Sequence, residues 1–261
     1  MLSLKEIYND YKAEHLKEVG ADLYLRLVNI LSLPFIKAFL IIRIPPNQIT
    51  ILWSIIGLFS SFLFIPGSYA LNIIGAVMVN FTLVIDACDG TIARIRNTAS
   101  NNGGLMESMG HWIVDAGLMA SIAFGSFNRF DNPLFFALGF TALSALFLKN
   151  LIVKEKMRLF VYQKEVPLKR NGQKNLKILN DSILRKVYEK TEKLHLFDFF
   201  CIILPILAIF DIVHFFLLVY GLSYPLLFLA TYWYHLRSGF EEIEDAVLAK
   251  ADKIRKAQGL N

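Results

Sequence analysis

Cysteine is scarce: only Cys88 and Cys201 occur in 261 residues. Both sit in or beside long apolar runs, so there is no disulfide framework, and neither residue reports on a redox compartment. The first 20 residues lack the basic, apolar and small-residue regions of a cleavable signal. The N-terminus is therefore expected to be mature sequence, with insertion beginning at the first apolar helix. No internal repeat of useful length is present, and the chain reads as one membrane domain, residues 1–261. The net charge is +5, but no nucleic-acid-binding motif accompanies it, which excludes nucleic acid and leaves anionic lipid headgroups as the partner.

What is present in excess is apolar surface. Hydrophobic residues make up 55% of the chain and aromatic residues 13%, more than a soluble domain carries. A bilayer crossing needs about 20 mostly apolar residues. Six runs approach this: Ile49 to Phe64, Leu71 to Ile85, His111 to Phe127, Pro133 to Val153, Phe197 to Phe210 (with Pro205 inside) and Ile212 to Tyr234. The expected fold is an all-α integral membrane bundle of six transmembrane helices. Leu23 to Ile42 is interrupted by Arg26, Asn29, Pro34 and Lys37, which suits an amphipathic helix lying in the interface.

Basic residues orient the bundle. Of 27 Lys and Arg, 12 fall between Lys154 and Lys193, and Arg94 and Arg96 follow the second run. The opposite loops carry only Arg129. The positive-inside rule then makes both basic loops cytoplasmic, and both termini with them. The expected organisation is an N-terminal cytoplasmic or interfacial segment 1–47, a membrane core 48–236 with a basic cytoplasmic loop 154–196, and a cytoplasmic tail 237–261.

Ionisable groups inside apolar helices are costly and mark function by default. The second run ends VIDACDGTIARIR, which places Asp86, Asp89 and Ala93 on one helical face beside Gly90. The third begins GGLMESMGHWIVDAG, where Glu107, His111 and Asp115 recur every four residues. Helices joined by so short a loop pack together, so the two stripes are expected to converge. Four acids in an apolar setting repel one another unless cations balance them, and a divalent metal does so most simply. Oxygen ligands suit Mg, Mn or Ca, and a site including His111 also accepts softer metals; Mg2+ or Mn2+ is the first expectation.

At this point the sequence resembles the CDP-alcohol phosphotransferases, membrane enzymes marked by Asp, two residues, Asp-Gly, two residues, Ala-Arg, then eight residues before Gly, Asp and Asp at four-residue spacing. Asp86, Asp89, Gly90, Ala93, Arg94 and Gly103 occupy their places, while Glu107 and His111 stand where the last two aspartates belong. PPNQIT before the first run is similar to the family's Pro-Asn-x-x-Thr. The resemblance implies one or two divalent ions held by Asp86, Asp89 and Glu107, with His111 as catalytic base or ligand and Asp115 as a replacement ligand. It implies donor contacts at Gly90, Ala93 and Arg94, and at Asn47 and Thr50. The activity implied is transfer of a substituted phosphate from a CDP-linked donor to an acceptor alcohol of unknown identity, releasing CMP, in phospholipid biosynthesis. A homodimer is an assembly this leaves open. Two other classes compete: a catalytically altered homologue that binds lipid or assists assembly, and a transporter. The transporter would place its acids near the midplane rather than at one surface.

Overall fold

A computed structural model describes residues 23–165 and 197–237. Among these the chain is all helix: α1 Leu23–Ile41, α2 Pro46–Phe62, α3 Tyr69–Ile95, α4 Asn101–Phe130, α5 Leu134–Glu165, α6 Phe197–Ile209 and α7 His214–Arg237. Each of the six apolar runs falls on one of the helices α2 to α7. Among the described residues three helices are long and apolar enough to cross a membrane: Tyr69–Ile95, Leu134–Ile152 and His214–Tyr234. The others fall short for visible reasons. α2 has 17 residues, α6 has 13, and α4 carries Glu107, His111, Asp115 and Arg129 along its length.

Local chemistry sets the helix ends. Pro46 opens α2 at a position where its missing N–H costs nothing. Ser68 and Ser100 cap α3 and α4, each accepting a backbone N–H with its hydroxyl oxygen. α3 closes on Asn97, which takes the left-handed conformation at φ 53°. Thr98 N–H then bonds Ala93 O at 2.8 Å and Asn97 N–H bonds Arg94 O at 3.0 Å, the double closure of a Schellman motif. α6 ends the same way at Asp211. The apolar run expected to end at Val153 falls on Leu134–Ile152 of α5, and α5 itself runs on into the stretch expected to be basic loop. It continues as helix past Lys154 to Glu165, because nothing between these residues breaks a helix and Glu155 pairs with Arg158 one turn on. The rest of the expected basic loop, residues 166–196, lies outside the described residues, as do the first 22 residues and the tail from 238.

The chain divides into two compact units, Met1–Phe140 with Leu196–Val219, and Thr141–His195 with Tyr220–Asn261. In the second, Tyr220 and Tyr224 meet edge to face at 4.9 Å. The first unit holds every site residue named above. In it α2 packs on both α3 and α4, α1 packs on α3, and α3 meets α6. Its core joins Ile36 and Phe39 of α1, Ile49 and Trp53 of α2, Ile85, Cys88 and Ile92 of α3, and Val114 of α4. Arg96 fastens α1 from beyond α3, donating to the carbonyls of Ile44 and Phe39 at 2.5 and 3.3 Å. Large apolar residues such as Phe59, Val77, Phe140 and Leu226 face outward, as they do in a protein bathed in lipid.

Small residues let the helices approach closely, since packing rather than hydrophobicity holds helices together in lipid. At the far end of α4 from the acidic residues, Gly125 lies directly against the carbonyl of Phe64, leaving no room for a Cβ. Arg129 and Asp211 form a forked ion pair at that same end. Gly125→Ala should destabilise the protein by about 1–3 kcal/mol, read as a lower thermal midpoint in detergent. Gly104→Ala, whose Cβ would meet nothing within 4 Å, should leave the midpoint unchanged or slightly raised.

Candidate active site

The acidic ends of α3 and α4 are joined by residues 96–100, yet the two helices do not pack on each other as the short loop led one to expect: each packs on α2, and it is their side chains that meet. Asp86 is half-buried on α3, and Glu107 and His111 project from successive turns of α4. Asp86, Glu107 and His111 each offer one ligand atom, and these atoms lie within 4.8 Å of one another. His111 Nε2 stands 3.6 Å from Asp86 Oδ2. The other oxygen of Asp86, Oδ1, is buried with no hydrogen-bond partner among the described residues. An orphaned carboxylate oxygen is expensive in an apolar bundle, and a cation would satisfy it. Two carboxylates and an imidazole fit a divalent ion of the Mn2+ or Mg2+ kind.

Asp89 is placed differently. It is 4% exposed and its oxygens accept from the chain itself. Thr50 Oγ1 donates to Oδ2 at 2.6 Å, Trp53 Nε1 donates to the same oxygen at 3.0 Å, and Gly90 N–H donates to Oδ1 at 2.5 Å. Asp89 is thus outside the group of three, held by α2. Thr50, expected beside the donor, is buried with its hydroxyl on Asp89. Asn47, also expected there, is exposed, and its Oδ1 lies 3.5 Å from where a Cβ on Gly103 would stand. Arg94 is exposed and donates to Thr91 Oγ1 at 3.2 Å. Its guanidinium passes over Gly90, 3.3 Å from where a Cβ would be, and its charge reaches both Asp89 and Glu107. Ala93 is half-buried on the same helix. Asp115, one turn beyond His111, is half-buried and is not among the three grouped residues.

Sequence reasoning missed Trp53. The indole joins Asp89 to His111, whose ring lies 4.8 Å away centroid to centroid at 41°. Its signal was its place three residues after Thr50, on the same face of a helix, but nothing in the sequence says that this face meets Asp89.

The family model for CDP-alcohol phosphatidyltransferases matches residues 43–233, from before α2 to near the end of α7. The chain belongs to this family of transferases. It is 34% identical over 89 residues to an archaetidylinositol phosphate synthase of Pyrococcus horikoshii, covering 34% of this chain and 45% of that one. It is 33% identical over 91 residues to a bifunctional IPC transferase and DIPP synthase of Archaeoglobus fulgidus, covering 34% of this chain and 17% of that protein. The chain therefore spans less than half the length of these curated relatives. A crystal structure of the Mycobacterium tuberculosis phosphatidylinositol phosphate synthase in apo form is 21% identical, covers 77% of this chain and 95% of its own, and superposes with a TM-score of 0.46. Membership of this family, together with three helices suited to crossing a bilayer, marks the chain as an integral membrane protein.

The family as a whole uses divalent ions with CDP-linked donors and alcohol acceptors, so a cation-binding group within the matched segment is in keeping with membership. If Asp86, Glu107 and His111 hold the ion together, Glu107→Gln should weaken Mn2+ binding by roughly ten-fold or more. Equilibrium dialysis of the purified protein, with no substrate present, measures this. Unchanged affinity would remove Glu107 from the ligand set.

Proposed function

We propose that this protein transfers a substituted phosphate from a CDP-alcohol to an acceptor hydroxyl, releasing CMP, and that Asp86, Glu107 and His111 hold the divalent ion the reaction needs. The observation that carries the reading is the grouping of those three side chains inside the segment that matches the family. A bound Mg2+ or Mn2+ would supply positive charge to the pyrophosphate oxygens on which charge grows as CMP leaves. The chain's own groups do the rest. Gly90 and Ala93 keep the α3 surface low, which lets a nucleotide approach the helix. Arg94 lies beside that surface with a guanidinium suited to phosphate oxygens, and Asn47 stands exposed close to Gly103. Asp89, fixed by Thr50 and Trp53, adds negative charge that helps retain a cation without having to move.

His111 has two roles open to it from one position. As a ligand it completes the group of three, and as a base it takes the proton of the attacking hydroxyl. Its approach to Asp86 favours the ligand role. Asp115 lies a turn too deep to share in the present grouping and serves as a reserve ligand.

The membrane arrangement belongs to the same reading. On this reading α2, α4 and α6, which fall short of crossing by length or composition alone, join the three long apolar helices to make six spans, α1 lies in the interface, and the basic segments argue for a cytoplasmic site and cytoplasmic termini. The donor is of the CDP-diacylglycerol kind, with its apolar chains in the bilayer. The acceptor is a small polar alcohol or its phosphate. Inositol phosphate is the first to try, because the Pyrococcus horikoshii relative is named an archaetidylinositol phosphate synthase.

Purified protein incubated with Mn2+ or Mg2+, a panel of CDP-alcohols and acceptors including inositol phosphate, glycerol phosphate and serine should release CMP, and EDTA should stop it. Asp86→Asn should cut turnover by roughly 10²–10³-fold. His111→Asp should retain more activity than His111→Ala. Full activity in His111→Ala would remove both roles from His111, and no CMP from any pairing would leave a lipid-binding or assembly function.

A further inference from the structure

We infer that Trp53 is a positioning residue that holds the acidic face of α3 and the His111 stripe of α4 in register; the inference rests on the transfer reading above. The indole N–H donates to Asp89 Oδ2 at 3.0 Å, the oxygen that also accepts from Thr50. The same ring system lies 4.8 Å from the imidazole of His111. Trp53 is 1% exposed, so its orientation is set by what surrounds it. The decisive neighbour is Gly110, next in sequence to His111. A Cβ there would stand 2.8 Å from Trp53 Cη2 and 3.0 Å from Cζ2, and would also collide with Ser54 Oγ. The missing side chain of Gly110 is the slot into which the outer edge of the indole fits.

One rigid, planar group therefore carries three restraints. A sliding motion of α2 along α3 breaks the bond to Asp89, and a motion of α2 away from α4 opens the gap at Gly110 and frees the His111 ring. Asp86 and Asp89 sit three residues apart on one face of α3, so fixing the carboxylate of Asp89 fixes the bearing from which Asp86 meets Glu107 and His111. Trp53 is not one of the grouped ligand residues and acts through Asp89 and His111. Groups that orient ligands in this way commonly set metal affinity and turnover by 10- to 100-fold.

The test compares wild type with Trp53→Phe, which keeps an aromatic ring beside His111 and deletes the N–H, and with Trp53→Leu, which deletes both. Mn2+ affinity is read without substrate from the electron paramagnetic resonance signal of free Mn2+; kcat and donor KM are read from CMP release; thermal midpoints report folding. Trp53→Phe should weaken Mn2+ binding by several-fold and lower kcat by about ten-fold while changing donor KM by less than about two-fold. Trp53→Leu should lose more on both counts. A folded Trp53→Phe with wild-type Mn2+ affinity and kcat overturns the inference, as does a lower midpoint with wild-type affinity and turnover in the folded fraction, which is what a packing role alone would give. If wild type releases no CMP but Trp53→Phe still weakens Mn2+ binding, the transfer reading falls and the positioning role stands.

Discussion

A carboxylate inside an apolar bundle stays ionised only if it is given donors or a cation, and the arrangement around Asp86 and Asp89 follows from that requirement. Asp89 receives donors. A hydroxyl, an indole N–H and a backbone N–H converge on its oxygens, so it can remain buried without help from outside the chain. Among the described residues none donates to the buried Oδ1 of Asp86, which instead faces a second carboxylate and an imidazole. The two residues lie on one face of one helix, yet one is satisfied by the protein and the other is presented to a ligand. That difference makes the group of Asp86, Glu107 and His111 a candidate cation site rather than a set of buried polar groups.

The packing of α2 makes the difference possible. Thr50 and Trp53 reach Asp89 only because α2 lies against α3 and α4 at once, and α2 approaches α4 closely only because Gly57 and Gly110 carry no side chains at the contact. α1, clamped by Arg96 onto the end of α3, closes the same region from another side. Helix register, rather than any loop, thus sets the geometry of the site, as expected where helix packing in lipid rests on close van der Waals contact.

Much of this was legible in the sequence, and the reasons are local. The spacing of Asp86, Asp89 and Ala93, and of Glu107, His111 and Asp115, is helical, so the sequence alone defines two polar stripes. The short connection led to the expectation that the two helices pack together and bring both stripes into one site; instead both helices pack on α2, and of the stripes Asp86, Glu107 and His111 come within reach of one another. What the sequence could not supply were contacts between residues 36 or more apart. That Asp89 turns toward Thr50 and Trp53 while Asp86 turns toward α4 depends on helix rotation, which spacing alone leaves free. The fit of Trp53 to Gly110 depends on shape, and a tryptophan in an apolar run looks like ordinary core. The apolar run marks where the span of α5 ends but not where the helix ends: Lys154, Glu155 and Arg158 are good helix formers, and Glu155 pairs with Arg158 across one turn.

The central claim is that His111 stands beside Asp86 and Glu107 as a ligand to a divalent ion, and the hyperfine spectrum of bound Mn2+ tests it most directly. Electron spin-echo modulation of the Mn2+-loaded protein should show coupling to a directly coordinated imidazole nitrogen, and the coupling should vanish in His111→Asp while Mn2+ still binds. Mn2+ bound without nitrogen coupling in the wild type, or coupling that survives His111→Asp, would contradict the account.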